Sequence, residues 1–186
     1  MDIQHALLGL LSWQPFTGYD LKKLISRSDL FYWSGNNNQI YNSLITLYRE
    51  GLVDQQVQQQ ESLPAKKIYT ITEAGRAELR RWLLSDPELP EFRNHFLIQL
   101  AWAEPLSAEE MDALLGKYEA EIAVQLRMRR TQAGSPAASP NRTEREKYLW
   151  EKIAENLSAA YQHELDWVRQ VRAELQEERF ADGNRS

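Results

Sequence analysis

The stretch from Asn36 to Gly75, NNNQIYNSLITLYREGLVDQQVQQQESLPAKKIYTITEAG, decides the fold. Ile40, Leu44 and Leu47 repeat at helical intervals until Gly51 stops the helix, with Ser34-Gly35-Asn36 as the turn and cap source before it. At about 100° per residue, Asn38, Asn42, Thr46 and Arg49 fall opposite that apolar stripe, flanked by Gln39, Tyr41 and Ser43. Leu52 and Val53 then open a strand running through Val57, and Lys67 to Ile71 makes a second, rich in β-formers. Between them lies a polar tip, Gln58 to Ala65, closed by Pro64 and returning through Lys66 and Lys67. Thr72 caps the next helix, with Gly75 in its first turn. A helix with an amide-rich face followed directly by a cationic hairpin is the order of a winged helix-turn-helix, whose helix enters the DNA major groove while the wing touches the backbone. Asn and Gln can bond adenine bidentately, and Ser and Tyr can reach base or phosphate. Any amphipathic helix has a polar face and surface lysines also protect edge strands, so the order of the parts carries the reading.

Working outward, Ile3, Leu7, Leu8, Leu10 and Leu11 predict a buried helix over about Asp2–Ser12, ended by Trp13-Gln14-Pro15. Thr17 with Asp20 suits a capping box for a second helix carrying Leu21, Leu24 and Ile25 inward. Beyond Thr72 the pattern continues through Ala77, Leu79, Trp82 and Leu83 to a boundary at Asp86-Pro87. From there helices are predicted over about Leu89–Ala103, Ser107–Thr131 and Thr143–Glu178, the last two opened by capping boxes, Ser107 with Glu110 and Thr143 with Glu146. Gln132 to Asn141 reads as a connector rich in Gly, Ser and Pro.

Trp150, Ile153, Leu157, Tyr161, Leu165, Val168, Val171 and Leu175 form a stripe spaced like a coiled-coil seam. A helix of about 36 residues spans about 54 Å and outreaches its predecessor, which leaves part of the seam for a second chain and predicts a homodimer. The expected fold class is therefore mainly α with a small β-wing: a winged helix-turn-helix DNA-binding domain over 1–84, an α-helical dimerisation domain over 85–180, and a disordered tail over 181–186.

The chain carries a net charge of −5 and an estimated pI near 5.3, whereas DNA-binding domains often exceed a pI of about 9. The charge is uneven: residues 1–84 hold 9 Lys/Arg against 8 Asp/Glu, leaving 13 against 19 for the rest. Absence of cysteine excludes disulfides, thiolate metal sites and cysteine nucleophiles, and fits the cytoplasm. No basic region precedes the first apolar run, which is too short to span a bilayer, so neither signal peptide nor membrane span is expected. His5, His95 and His163 are scattered and no catalytic constellation stands out, so neither enzymatic activity, metal nor cofactor is expected.

Taken in order, Ala6–Leu11, Thr17-Gly18-Tyr19-Asp20-Leu21, Gln39-Ile40-Tyr41 with Leu44 and Leu47, Glu50-Gly51-Leu52-Val53 and Lys67–Gly75 resemble the PadR family of bacterial transcriptional regulators. The resemblance covers the first 84 residues, and the remaining half is similar in length and helical plan to the larger members, with an AphA-like C-terminal helical domain. It implies a homodimer bound to dyad-symmetric double-stranded promoter DNA. The family's recognition helix falls on Asn37 through Ser43, its characteristic tyrosine on Tyr41, and its wing on about Val57 to Lys67. With Asn36, and with Tyr19, Lys22 and Lys23 as further backbone contacts, these complete the expected DNA-binding set. The tip, Gln58 to Leu63, carries fewer cations than many family wings.

Some relatives respond to phenolic acids. Here Trp102, Tyr118, Trp150 and Tyr161 are candidate stacking partners for a small aromatic effector, with Arg93, Arg127 and Arg145 available for a carboxylate. The expected function is a sequence-specific transcriptional regulator, a repressor occupying its promoter. The alternative from another class is a winged-helix protein-interaction module without DNA binding, motivated by the acidic balance and the sparse wing charge.

Overall fold

The computed structural model describes residues 3–27, 37–59, 66–90, 94–132 and 143–177. The turn at Ser34–Asn36, the wing tip from Gln60 to Ala65, Arg93, the connector beyond Gln132 and the C-terminal tail lie outside them. The chain divides into two compact units, residues 1–89 and 90–186.

In the first unit the order is α1 (Ile3–Leu11), β1 (Phe16–Thr17), α2 (Gly18–Arg27), α3 (Asn37–Arg49), β2 (Val53–Gln58), β3 (Lys66–Ile71) and α4 (Glu73–Leu83). Helix α1 is the centre: Ile3, Leu7, Leu8, Leu10 and Leu11 are all buried and share one core with Leu21, Ile25, Ile40, Leu44, Leu47, Val53, Tyr69 and Ile71. Each such side chain contributes about 1.5–3 kcal/mol by leaving water, which ties α1, α2, α3 and the sheet into one body. At its edge His5 stacks on Trp82 of α4, ring centroids 4.8 Å apart, and its Nε2 lies 3.5 Å from Glu78.

The sheet has three antiparallel strands in the order β1-β3-β2, where two were expected. The missed strand is a two-residue one, Phe16 and Thr17 opposite Tyr69 and Ile68. It is too short to show a period of two, and only tertiary packing reveals it. Its register matters because it fixes the start of α2 beside the middle of the wing. Strands β2 and β3 pair from Val53↔Ile71 to Gln58↔Lys66, alternating core-facing Val53, Tyr69 and Ile71 with solvent-facing side chains.

Turn chemistry sets the junctions. Gly51 adopts φ 70°, the left-handed cap conformation that ends α3. Thr72 donates its hydroxyl to the Gly51 carbonyl (2.7 Å) and accepts from the Gly75 amide (3.0 Å), so one side chain joins the end of α3 to the start of α4. Gly75 packs so closely there that a Cβ would strike the Leu52 carbonyl and lie 2.8 Å from Ile71 Cγ1.

The second unit consists of α5 (His95–Ala101), α6 (Ala108–Gln132) and α7 (Glu144–Gln176). Helix α5 begins at His95, well after the expected Leu89. Pro90 disfavours helical backbone at the residue before it, and the helix start is set by Asn94, whose Oδ1 accepts from the amides of Phe96 and Leu97. The expected capping box forms at Ser107, where the Glu110 amide donates to Ser107 Oγ (3.2 Å) and the Ser107 amide to Glu110 Oε2 (2.9 Å), and at Thr143 the N-cap bond forms, the Glu146 amide donating to Oγ1 (3.1 Å).

Helices α6 and α7 run antiparallel, as the pairs Asp112–Arg172, Glu119–Arg169 and Arg129–Tyr161 require. Their core holds Leu115, Ile122, Leu126, Leu165 and Val168, with Phe96 of α5 over it. Among the described residues no helix is long and apolar enough to cross a membrane.

Candidate nucleic-acid interface

Helix α3 presents its outward face through Asn38, Gln39, Tyr41, Asn42 and Arg49, all exposed. Ser43, expected beside them, is 8% exposed and faces inward. Three residues after Ile40 and one before Leu44, it sits on the core side of the helix, where contact with a base is closed to it. Thr46 is half-buried and spends its hydroxyl on the Asn42 carbonyl (3.1 Å). Asn37 begins the helix, while Asn36 lies outside the described residues.

Beside this face is a cleft of about 550 Å³ lined by Tyr19 and Asp20 of α2, Tyr41 and Ile45 of α3, and Lys66, Lys67 and Tyr69 of β3. Three segments distant in sequence thus bring two lysines and three tyrosines together, through the pairing of β1 with β3. Thr17 ends β1 and caps α2: the Asp20 amide donates to its Oγ (3.1 Å), and that hydroxyl donates to the Asp20 carboxylate (2.6 Å). Gly18 follows because the Tyr41 ring lies against it; a Cβ there would be 2.7 Å from Tyr41 Cε1. Burial, and then the neighbouring Tyr41, raise the Tyr69 hydroxyl above the ordinary tyrosine range, so it stays neutral and able to donate. Tyr19 is 66% exposed at the rim. Lys22 is half-buried, Lys23 is exposed, and neither lines the cleft. The arrangement offers cations and phenolic hydroxyls for phosphate beside an amide-bearing helix for base edges.

Ile45 is the member that the sequence reading missed. Its position falls within the outward arc of α3, yet an isoleucine in an amphipathic helix reads by default as core.

In the second unit the expected seam divides. Leu165 and Val168 are buried against α6, and Tyr161, Val171 and Leu175 pack on the same core. They serve the fold of their own chain, because α6 supplies the partner surface that the stripe requires. In the register set by Arg129 on Tyr161 and Arg130 on Gln162, helix α6 ends at Gln132 before it reaches residues 144–157 of α7, which project past that end. Trp150, Ile153 and Leu157 lie half-buried on this projection, next to exposed Tyr148 and Leu149.

Among the described residues, the four candidate effector residues line neither the cleft beside α3 nor the cavity between α6 and α7. Trp102 is 81% exposed at the end of α5. Tyr118 stacks on Phe96 at 3.6 Å and donates to Glu164 (2.6 Å), which also accepts from Asn94 (2.9 Å). Tyr161 lies under the Arg129 guanidinium at 4.2 Å and accepts a hydrogen bond from it (3.1 Å). Trp150 stands on the projecting part of α7. A cavity of about 470 Å³ between α6 and α7 is lined instead by Arg127, Arg130, Arg169, Gln162, Leu126 and Leu165, among others. Arg172 clamps the far end of the pair and holds the Asp112 carboxyl below the ordinary range, while Arg169, with Arg172 after it, does the same for Glu119. Among the described residues no group of three or more metal-ligating side chains could hold an ion.

Residues 7–81 match the profile of the Transcriptional regulator PadR-like family. The chain is 31% identical over 113 residues to the negative transcriptional regulator PadR of Bacillus subtilis, an alignment covering 60% of this chain and 62% of that protein. The crystal structure of B. subtilis PadR with operator DNA superposes with a TM-score of 0.82 at 23% identity, over 94% of this chain and 99% of the other. The same regulator solved with p-coumaric acid gives 0.76 at 21% identity, over 95% and 100% of the two chains. The Vibrio cholerae virulence activator AphA gives 0.65 at 26% identity, over 92% and 96%. That family is one of transcriptional regulators and not of enzymes. Residues 7–81 thus match the PadR-like family of transcriptional regulators, and along nearly its whole length the chain has the fold of the solved PadR structures.

Proposed function

We propose that this protein is a sequence-specific DNA-binding repressor acting in the cytoplasm as a homodimer on dyad-symmetric promoter DNA, each N-terminal unit reading one half-site. The observation that carries the reading is the convergence of Tyr19, Tyr41, Lys66 and Lys67 on one cleft beside the exposed amides of α3. The match of residues 7–81 to the PadR-like family and the operator complex of B. subtilis PadR support the same function. The projecting apolar part of α7 supports dimerisation, which pairs two half-site readers of modest charge into one binding unit. Release by a small aromatic acid is part of the proposal, supported by the p-coumaric acid complex of the Bacillus relative. The interaction-module alternative rests on the acidic balance and the sparse wing charge, and the relatives do not favour it.

Electrophoretic mobility shift on DNA from upstream of the gene tests the function. Affinity there exceeds affinity for scrambled DNA and falls as salt rises; equal, salt-independent affinity overturns the reading. Two substitutions resolve the roles. Lys66→Ala weakens binding to all sequences and reduces the salt slope by about one, whereas Asn38→Ala relaxes sequence preference by about 1–3 kcal/mol with an unchanged slope.

A further inference from the structure

We infer that Ile45 reads the 5-methyl group of a thymine in each operator half-site, which makes it a specificity-determining residue of the recognition helix. The inference rests on the DNA-binding function proposed above. Ile45 is 45% exposed, while Ile40, Leu44 and Leu47 on the same helix are at 5% or less, and it belongs to neither hydrophobic core. A lone exposed aliphatic side chain is ordinary on a protein surface, so its setting decides the matter. It lies three residues after Asn42, four after Tyr41 and four before Arg49, which at about 100° per residue puts it on the same outward arc as those side chains.

Ile45 also lines the cleft with Lys66 and Lys67, neither of which is ion-paired among the described residues. Two such cations beside an amide-bearing helix complement a polyanion, and that commits the occupant of this face to duplex DNA. An aliphatic side chain can form no hydrogen bond, so among the groups on the major-groove edge it is matched to one alone, the methyl of thymine. Opposite guanine or cytosine it would cover the O6, N7 or N4 groups without replacing their water, which penalises the wrong base. With Asn38 and Asn42 suited to adenine, the helix is built to prefer A·T pairs.

The test uses the full-length chain and duplexes it enriches from a random-sequence pool, resynthesised with single thymines replaced by uracil. Uracil keeps every hydrogen-bonding group and lacks only the methyl. At one position per half-site the change weakens binding about fourfold, the equivalent of one buried methyl group. Ile45→Ala binds the thymine and uracil duplexes alike, and Ile45→Val keeps the discrimination; unchanged thermal melting shows that both variants are folded. If no single uracil matters, or Ile45→Ala retains the full fourfold difference, the inference is overturned while DNA binding stands. If the pool yields no enriched sequence, the DNA-binding function itself fails and the inference goes with it.

Discussion

Gly18 shows how one missing side chain can position another. Its Cα gives Tyr41 the space to lie across the start of α2, and Tyr41 lines the cleft with the wing lysines. Tyr41 is itself 42% exposed, so the ring can swing away from an added methyl at small cost. Gly18→Ala is therefore expected to displace Tyr41 and weaken DNA binding by about 1 kcal/mol, roughly fivefold, with the melting temperature held within a few degrees. Mobility shift and a thermal melt of the same preparation check both halves; a large loss of stability with unchanged affinity would sink this account. At this scale the sequence was only partly legible. Asn38, Asn42 and Arg49 were assignable to the outer face from periodicity, but Ser43, expected beside them, faces the core, and Ile45, which was given no role, stands on the outer face. Helical spacing alone places Ser43 inside and Ile45 outside, whereas residue type suggests the reverse, and the packed core enforced the spacing.

Among the elements, the α6–α7 pair depends on polar contacts as well as on its leucine core. Tyr118 is the central one: it stacks on Phe96 and donates to Glu164, while Asn94 bonds both and caps α5. Burial, and then the Glu164 hydrogen bond, push its hydroxyl up to about 12 from an ordinary value of 10. Because the folded value is the higher, the neutral hydroxyl stabilises the fold fully below about pH 10, and that stability is lost as pH rises from 10 towards 12. Tyr118→Phe is expected to cost about 1–2 kcal/mol at neutral pH, a fall of roughly 2–8 °C in melting temperature. The deficit narrows above pH 10, where only the wild type loses stability through this group. Melts followed by circular dichroism across pH 7–11 check it, and a deficit that grows above pH 10 would contradict the assignment.

For the whole molecule, binding to two half-sites needs two chains. Leu149 stands half-exposed on the part of α7 that projects beyond α6 and belongs to neither core. Leu149→Asp puts a charge on that apolar face without disturbing the core of its own chain. The expected result is a dimer dissociation constant raised about tenfold or more by sedimentation velocity, since a charge buried at an interface without a partner costs at least 1.4 kcal/mol. Affinity for two half-sites falls with it, and the thermal melt of the N-terminal unit does not move. A dimer that persists unchanged would remove the projection from the interface.

The sequence by itself determined the elements with strong local chemistry: the buried α1, the apolar stripe of α3, the caps at Ser107 and Thr143, and Thr72 as the start of α4. Each is marked by spacings of at most a few positions, which a linear pattern records. Tertiary structure alone decided what depends on distant partners. The pairing of Phe16 and Thr17 with β3 brought Tyr19 to the wing lysines, and α6 claimed the second half of the α7 seam. A side chain's type states what it could bind; only the packed fold states which neighbours have already taken that capacity and which face is left for DNA.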